Sequence, residues 1–148
     1  MQEEIFSVVT PDNFAPVIDT VILRAQEIVD QASVISLTGD LGAGKTTFTQ
    51  QLAAYLGVTE TVVSPTFGIM KSYELVDNKH FDQLVHIDAY RIEDISEVGP
   101  LRFEEIFKTK RTLICLEWPE NIVEILPEQK VAVVITSKEG EERRVVVS

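Results

Sequence analysis

Gly39-Asp40-Leu41-Gly42-Ala43-Gly44-Lys45-Thr46 matches the pattern G-x-x-x-x-G-K-[ST] in full, and no other stretch constrains the fold as strongly. Glycine at these positions lets the backbone take positive φ and approach an anion with no Cβ in the way. The loop N–H groups, with the positive end of a following helix, form an anion-binding concavity. Lys45 adds a point charge for β- and γ-phosphates, and the Thr46 hydroxyl is an oxygen ligand suited to Mg²⁺. The plain alternative is a Gly-rich turn that happens to precede a helix. The context argues against it, because an apolar strand (Val34-Ile35-Ser36-Leu37) leads in and an amphipathic helix leads out. The stretch reads as the phosphate loop of a nucleotide-binding protein.

The rest of the chain organises around that loop. Thr10 as N-cap, Pro11 at the first helical position and Asp12 in the first turn open a helix. Phe14, Val17, Ile18, Val21, Ala25 and Ile28 then recur at helical spacing and give it one buried face. The helix after the loop runs from Lys45 to Leu56, with Phe48, Leu52, Tyr55 and Leu56 inward and Gly57 as its stop. Residues 68 to 75 and 84 to 87 read as strands paired through the polar turn Asp77-Asn78-Lys79. Residues 96 to 107 read as a helix interrupted at Gly99-Pro100. Thr112 to Leu116 is a continuous apolar run, the pattern of a strand buried on both faces. Val131 to Thr136 and Arg143 to Val147 flank Lys138-Glu139-Gly140-Glu141 as a second hairpin. The expectation is an α/β fold: a three-layer P-loop NTPase with a mixed, mainly parallel central sheet and β-hairpin excursions.

Length and charge bound what this fold can serve. The 148 residues are expected to form a single domain, 1–148. No apolar stretch is long enough for a membrane span, and the acidic start lacks the charge of a secretory signal, so a cytoplasmic location is expected. The lone Cys115 lies in an apolar run and reads as core rather than nucleophile. The net charge is −11, from 13 Lys and Arg against 24 Asp and Glu. Such a surface repels bare nucleic acid, so any role near RNA is expected to run through another protein.

Four further groups complete the expected site. Leu113-Ile114-Cys115-Leu116-Glu117 places an acid at the end of a buried strand, where open α/β sheets bind ligands, so Glu117 is the candidate second metal ligand. A solvated strand-end acid is the alternative. Trp118 follows, either as core or as an aromatic wall of the nucleotide site. His86-Ile87-Asp88-Ala89-Tyr90-Arg91 gathers polar side chains as the chain leaves a strand. There Asp88 is suited to orienting water or the metal shell and Arg91 to neutralising charge; a satisfied strand-end cluster is the alternative. His80 and His86 are too few for a metal site of their own. Within Ser64-Pro65-Thr66-Phe67, Thr66 is either a γ-phosphate sensor or part of an ordinary Pro turn. The guanine-reading tetrapeptide Asn-Lys-x-Asp is absent, since Asn78-Lys79-His80 is followed by Phe81. ATP is therefore favoured over GTP.

Taken together, the glycine loop through Thr47, Ser64-Pro65-Thr66-Phe67, His86 to Arg91 and Glu117-Trp118 resemble, in this order, the bacterial TsaE family (formerly YjeE) over residues 10 to 136. The resemblance implies a weak, Mg²⁺-dependent ATPase that binds ATP and ADP. It would be accessory to threonylcarbamoylation of the adenosine beside the anticodon in tRNAs reading codons that begin with adenine. The implied partners are TsaB and TsaD, with TsaD as the transferase and tRNA met only through the complex. Residue by residue, the resemblance implies that the loop from Gly39 to Thr47 binds the nucleotide, with Lys45 on phosphate and Thr46 and Glu117 on Mg²⁺. Asp88 and Thr66 would support hydrolysis, and Trp118 would lie near the nucleotide. A small-molecule kinase and a nucleotide-gated scaffold remain the competing classes; few arginines and little room for a lid weigh against the kinase.

Overall fold

The computed structural model describes residues 3–40, 42–60, 62, 70–96, 99 and 102–148. Its frame is a seven-stranded sheet made of β1 (Glu4–Val8), β2 (Ser33–Thr38), β3 (Met70–Glu74), β4 (Gln83–Asp88), β5 (Thr112–Glu117), β6 (Val131–Ser137) and β7 (Arg143–Val147). The spatial order is β1-β7-β6-β2-β5-β4-β3. The inner strands β6, β2, β5 and β4 run parallel. Antiparallel pairs close both sides: β3 on β4, and β7 on β6 with β1 beyond it. The sheet is therefore mixed with a parallel centre, and both expected hairpins are present.

Periodicity explains which strands lie inside. Every residue of β5 is buried, as is all of β2 except Thr38, as expected for strands covered on both faces. Alternation then sorts side chains to two cores. Ile35, Leu37, Leu84, Leu113 and Cys115 pack under the main helices, whereas Val34, Val85, Ile87, Ile114 and Leu116 face the other way. The first layer holds α1 (Ala15–Ala25) and α2 (Lys45–Tyr55); the second holds α3 (Phe103–Phe107) and the 3₁₀ stretch Pro119–Ile125. None of the described helices is long and apolar enough to cross a membrane.

The start signals read for α1 open a 3₁₀ turn ahead of it, and the α-helix itself begins at Ala15. Thr10 is extended, Pro11 begins a short 3₁₀ turn (Pro11–Phe14), and α1 continues directly from it. The Asn13 carboxamide oxygen accepts from the N–H groups of Val9 and Thr10, each at 3.1 Å, which satisfies otherwise orphaned donors. Phe14, Val17, Ile18, Val21, Ala25 and Ile28 are all buried. Helix α2 departs from the reading at one residue. Phe48, Leu52 and Leu56 are inward, but Tyr55 is 53% exposed. The buried stripe is instead completed by Thr49 and Ala53, which leaves Tyr55 on its margin. Asp19 of α1 accepts a hydrogen bond from the Tyr55 hydroxyl, and that bond holds the phenol pKa above its ordinary value.

Three other differences concern short segments. Strand β1 carries no readable signal, because only Val8 of its five residues is buried. The helix read over 96–107 is described as α3 alone, entered through Arg102 at φ +56°; residues 97, 98, 100 and 101 lie outside the described residues. The Pro119–Ile125 stretch was not expected, although Pro119 at its first position is a start signal.

Two contacts fix the loop between β2 and α2. A Cβ on Gly39 would meet the Ile135 carbonyl oxygen at 2.6 Å, so β6 passes too close for any other residue. From the far side, Arg143 Nε of β7 donates to the Ala43 carbonyl at 3.2 Å. Under α2, the Thr49 hydroxyl lies 3.4 Å from the Cys115 sulfur. Burial pushes the Cys115 thiol up to about 12, with the Thr49 contact offsetting part of the rise and the Glu117 charge adding to it. Since only the thiolate reacts, a thiol reagent at pH 8 is expected to label Cys115 only as fast as the protein unfolds. Labelling of native protein at the rate of a free thiol would contradict this packing.

Candidate functional site

The loop geometry follows from its glycines. Gly42 and Gly44 adopt φ of +80° and +109°, a region that L side chains rarely enter. Gly44 is the N-cap of α2, and the first intrahelical bond runs from the Phe48 N–H to the Gly44 carbonyl at 2.9 Å. The N–H groups of the preceding turn thus have no helical partner and point outward with the positive end of the helix dipole. Ala43 N–H is turned back onto the Asp40 carbonyl at 3.0 Å, closing the loop. Leu41 lies outside the described residues, and Asp40 is exposed.

Helix and strand spacing then set what faces the loop. Thr49 lies over Cys115. One turn back along α2 brings Lys45, and two residues on along β5 brings Glu117, steps of about 6 and 6.6 Å respectively. Both reach the rim where the parallel strands end. Asp88 is the register partner of Glu117 at the end of β4. Loop, helix start and strand ends enclose a cleft of ≈ 290 Å³ lined by Lys45, Thr46, Asp88, Tyr90, Glu117 and Trp118, with Gly42, Gly44 and Thr47 at its floor. Of the residues read from sequence, the structure brings Gly42, Gly44, Lys45, Thr46, Thr47, Asp88, Glu117 and Trp118 to this one cleft. Gly39, Asp40 and Ala43 support the loop. Arg91 is exposed and is not among the residues lining the cleft. Thr66, with Ser64, Pro65 and Phe67, lies outside the described residues.

The electrostatics are unusual for a buried cation. Lys45 is only 5% exposed, and its Nζ has no hydrogen-bond partner among the described residues. It sits 3.8 Å from the centroid of the Trp118 ring, a cation–π contact that replaces part of its lost hydration. Trp118 takes φ +59° and packs against Tyr90 with ring centroids 5.1 Å apart. Asn121 Nδ2 donates to the Ala89 carbonyl at 2.9 Å, tying this corner to the end of β4. Glu117 is 3% exposed and bonds through Oε2 to His86 Nε2 at 2.7 Å. Asp88 Oδ1 accepts from the Tyr90 N–H at 3.0 Å. His80 is exposed in the turn before β4; His86, within β4, is wholly buried.

This donor set suits a phosphate chain and a hard cation. An ammonium without a hydrogen-bond partner among the described residues, beside the first N–H groups of a helix, fits phosphate oxygens. One hydroxyl and two carboxylates fit Mg²⁺, which takes oxygen ligands and keeps several waters. Sequence reasoning missed a second cavity of ≈ 330 Å³ on the other side of the loop. It lies between Thr10, Pro11 and Phe14 on one side and Glu141 and Arg143 on the other, and it shares Gly42, Gly44 and Thr47 with the first.

A parallel strand, a glycine loop and a helix opening on a cleft at the strand ends define an α/β protein of the P-loop class. A family model described as threonylcarbamoyl adenosine biosynthesis protein TsaE matches residues 18–145. The chain belongs to the TsaE family. The tRNA threonylcarbamoyladenosine biosynthesis protein TsaE of Bacillus subtilis strain 168 is 44% identical over 113 residues, covering 76% of this chain and 66% of that protein. The Streptomyces coelicolor protein of the same name is 34% identical over 119 residues, covering 80% of this chain and 78% of its own length. The matched stretch thus spans about two thirds of the first relatives, 66% in Bacillus subtilis and 62% in Rickettsia bellii. Among solved structures, Bacillus subtilis YdiB superposes with a TM-score of 0.71 at 29% identity, covering 99% of this chain and 84% of that one.

Trp118 is the single tryptophan, so it reports on Lys45 directly. Adding ADP is expected to draw Lys45 Nζ off the indole and change the Trp118 emission saturably. A flat fluorescence titration alongside calorimetric binding would contradict the placement of Trp118 at the site.

Proposed function

We propose that this chain, as one domain over 1–148, is a Mg²⁺-dependent ATPase that acts as an accessory subunit in tRNA threonylcarbamoylation. Its partners in this reading are TsaB and TsaD. The modified base is the adenosine next to the anticodon of tRNAs that read codons beginning with adenine. The observation that carries the reading is the buried Lys45 ammonium, without a hydrogen-bond partner among the described residues, lining one cleft with the buried Glu117 carboxylate. A protein pays for such a charge only where a ligand answers it. Membership of a family named for threonylcarbamoyladenosine biosynthesis supports the pathway.

In this reading the α2 N-terminus and Lys45 hold the β- and γ-phosphates, and Thr46 and Glu117 hold Mg²⁺. Bound Mg²⁺ would screen the phosphate charge that builds up in the transition state. Asp88, fixed by the Tyr90 N–H, orients the attacking water at the γ side, with Thr66 as the sensor of that phosphate. Trp118 closes the phosphate side of the cleft. The base and ribose of ATP occupy the second cavity, because Gly42, Gly44 and Thr47 line both. The Thr10 region and the β6–β7 hairpin then flank the base together. A net charge of −11 suits a cytoplasmic subunit that docks on protein and meets tRNA through its partners.

Reconstitution with TsaB, TsaD, the threonylcarbamoyl donor and tRNA tests this. Lys45→Ala and Glu117→Ala are each expected to lower multiple-turnover modification on the order of 10²-fold, the usual cost of losing one preorganised charge contact. Wild-type turnover with either variant would rule the proposed site out.

A further inference from the structure

Among the described residues, His86 is a buried titratable side chain beside the cleft to which the proposed mechanism gives no task. It sits in β4 beside Cys115 of β5 in register and is 0% exposed. Leu84, two residues earlier on the same face, packs in the core under α1 and α2. A side chain of this size inside an apolar core is better supplied by Phe or Leu unless its polar atoms have a role there. One of them does: Nε2 lies 2.7 Å from Glu117 Oε2. The other, Nδ1, has no partner among the described residues.

This asymmetry fixes the chemistry of the pair. A carboxylate only accepts, so the shared proton sits on Nε2, while Nδ1 has no partner among the described residues. The opposite tautomer would bury an N–H without a partner among the described residues and set a nitrogen lone pair against a carboxylate oxygen, both unfavourable. Lys45 does not compete for Glu117, because its Nζ makes no hydrogen bond among the described residues and lies over Trp118. His86 is therefore the side chain that sets where the Glu117 carboxylate points.

We propose that His86 is a positioning residue: its Nε2–H pins Oε2 of Glu117 and presents the other carboxylate oxygen to the Mg²⁺ of bound nucleotide. The inference rests on the reading of Glu117 as a metal ligand given above. Carboxylate ligands held by a second hydrogen-bonded group commonly lose about 10–100-fold in metal affinity when that group is removed.

The test uses the intact chain with His86→Leu, His86→Gln and Glu117→Gln. Gln places an N–H near the position of Nε2, whereas Leu keeps bulk without a donor. ADP affinity in EDTA and the Mg²⁺ affinity of the ADP complex are measured separately by calorimetry. His86→Leu is expected to bind ADP in EDTA as wild type does, while its Mg²⁺ affinity falls about 10–100-fold; His86→Gln restores most of that loss. A purely structural role would instead weaken both measurements together and would not be rescued by Gln. Nitrogen NMR of the nucleotide-free wild type should show the Nε2–H tautomer, so the proposal stays testable even if His86→Leu fails to fold. An Nδ1–H tautomer overturns it. Wild-type Mg²⁺ affinity in His86→Leu, beside a loss in Glu117→Gln, overturns this proposal alone. Wild-type affinity in Glu117→Gln removes the metal reading and this inference with it.

Discussion

The site depends on the pairing of β5 between β2 and β4. Two parallel ladders bury all six residues of this strand, so its direction and register are set by the core. Because β5 is locked, Glu117 is delivered to the strand-end rim, level with Asp88, and cannot slide without turning its alternate face inward. Helix α2 is registered against the same strand through Thr49 and Cys115. Lys45 and Glu117 face one cleft because each lies a fixed step from that contact, on elements that the core holds rigid.

Lys45 and Glu117, both at the rim, do not neutralise each other among the described residues. Among the described residues, Lys45 is buried against the Trp118 ring and Glu117 is buried with His86 as its hydrogen-bond partner. Neither forms a salt bridge with the other among the described residues, although both line the same space. Pairing them would stabilise the empty protein and quench the site. Holding them apart costs stability and keeps an anion-attracting end and a cation-attracting end available together. On a molecule of net charge −11, the loop is a local positive region produced by backbone N–H groups and one ammonium. Such a region suits a small anion at short range, while the wider acidic surface suits a polyanion poorly.

What could be read from sequence was what depends on neighbours in the chain. The loop glycines, the Lys45–Thr46 pair, the stripe of α1 and the apolar run of β5 all signal through spacing, and each was recovered in place. Tyr55 was misread because hydrophobicity at the end of an amphipathic helix does not tell a margin from a face. Strand β1 was invisible, since an edge strand with one buried residue shows little alternation. The bond between His86 and Glu117 joins residues 31 apart through a parallel pairing that only the fold supplies. Its faint trace was the polar alternation His86 and Asp88 at the end of apolar β4 and the lone Glu117 at the end of apolar β5. The second cavity was equally hidden, because the Thr10 turn and the Glu141–Arg143 segment meet only through the pairing of β1 with β7.

The central claim is that the cleft binds a nucleotide through Lys45 and its metal through Thr46 and Glu117. A crystal structure with Mg²⁺ and a non-hydrolysable ATP analogue tests it most directly. The account predicts the phosphates at the start of α2, Lys45 Nζ moved from Trp118 onto phosphate oxygen, and Mg²⁺ about 2.1 Å from the Thr46 hydroxyl. Glu117 would reach that ion directly or through one of its waters, with Oε2 still on His86. Phosphates bound elsewhere, or a metal with no link to Glu117, would contradict it.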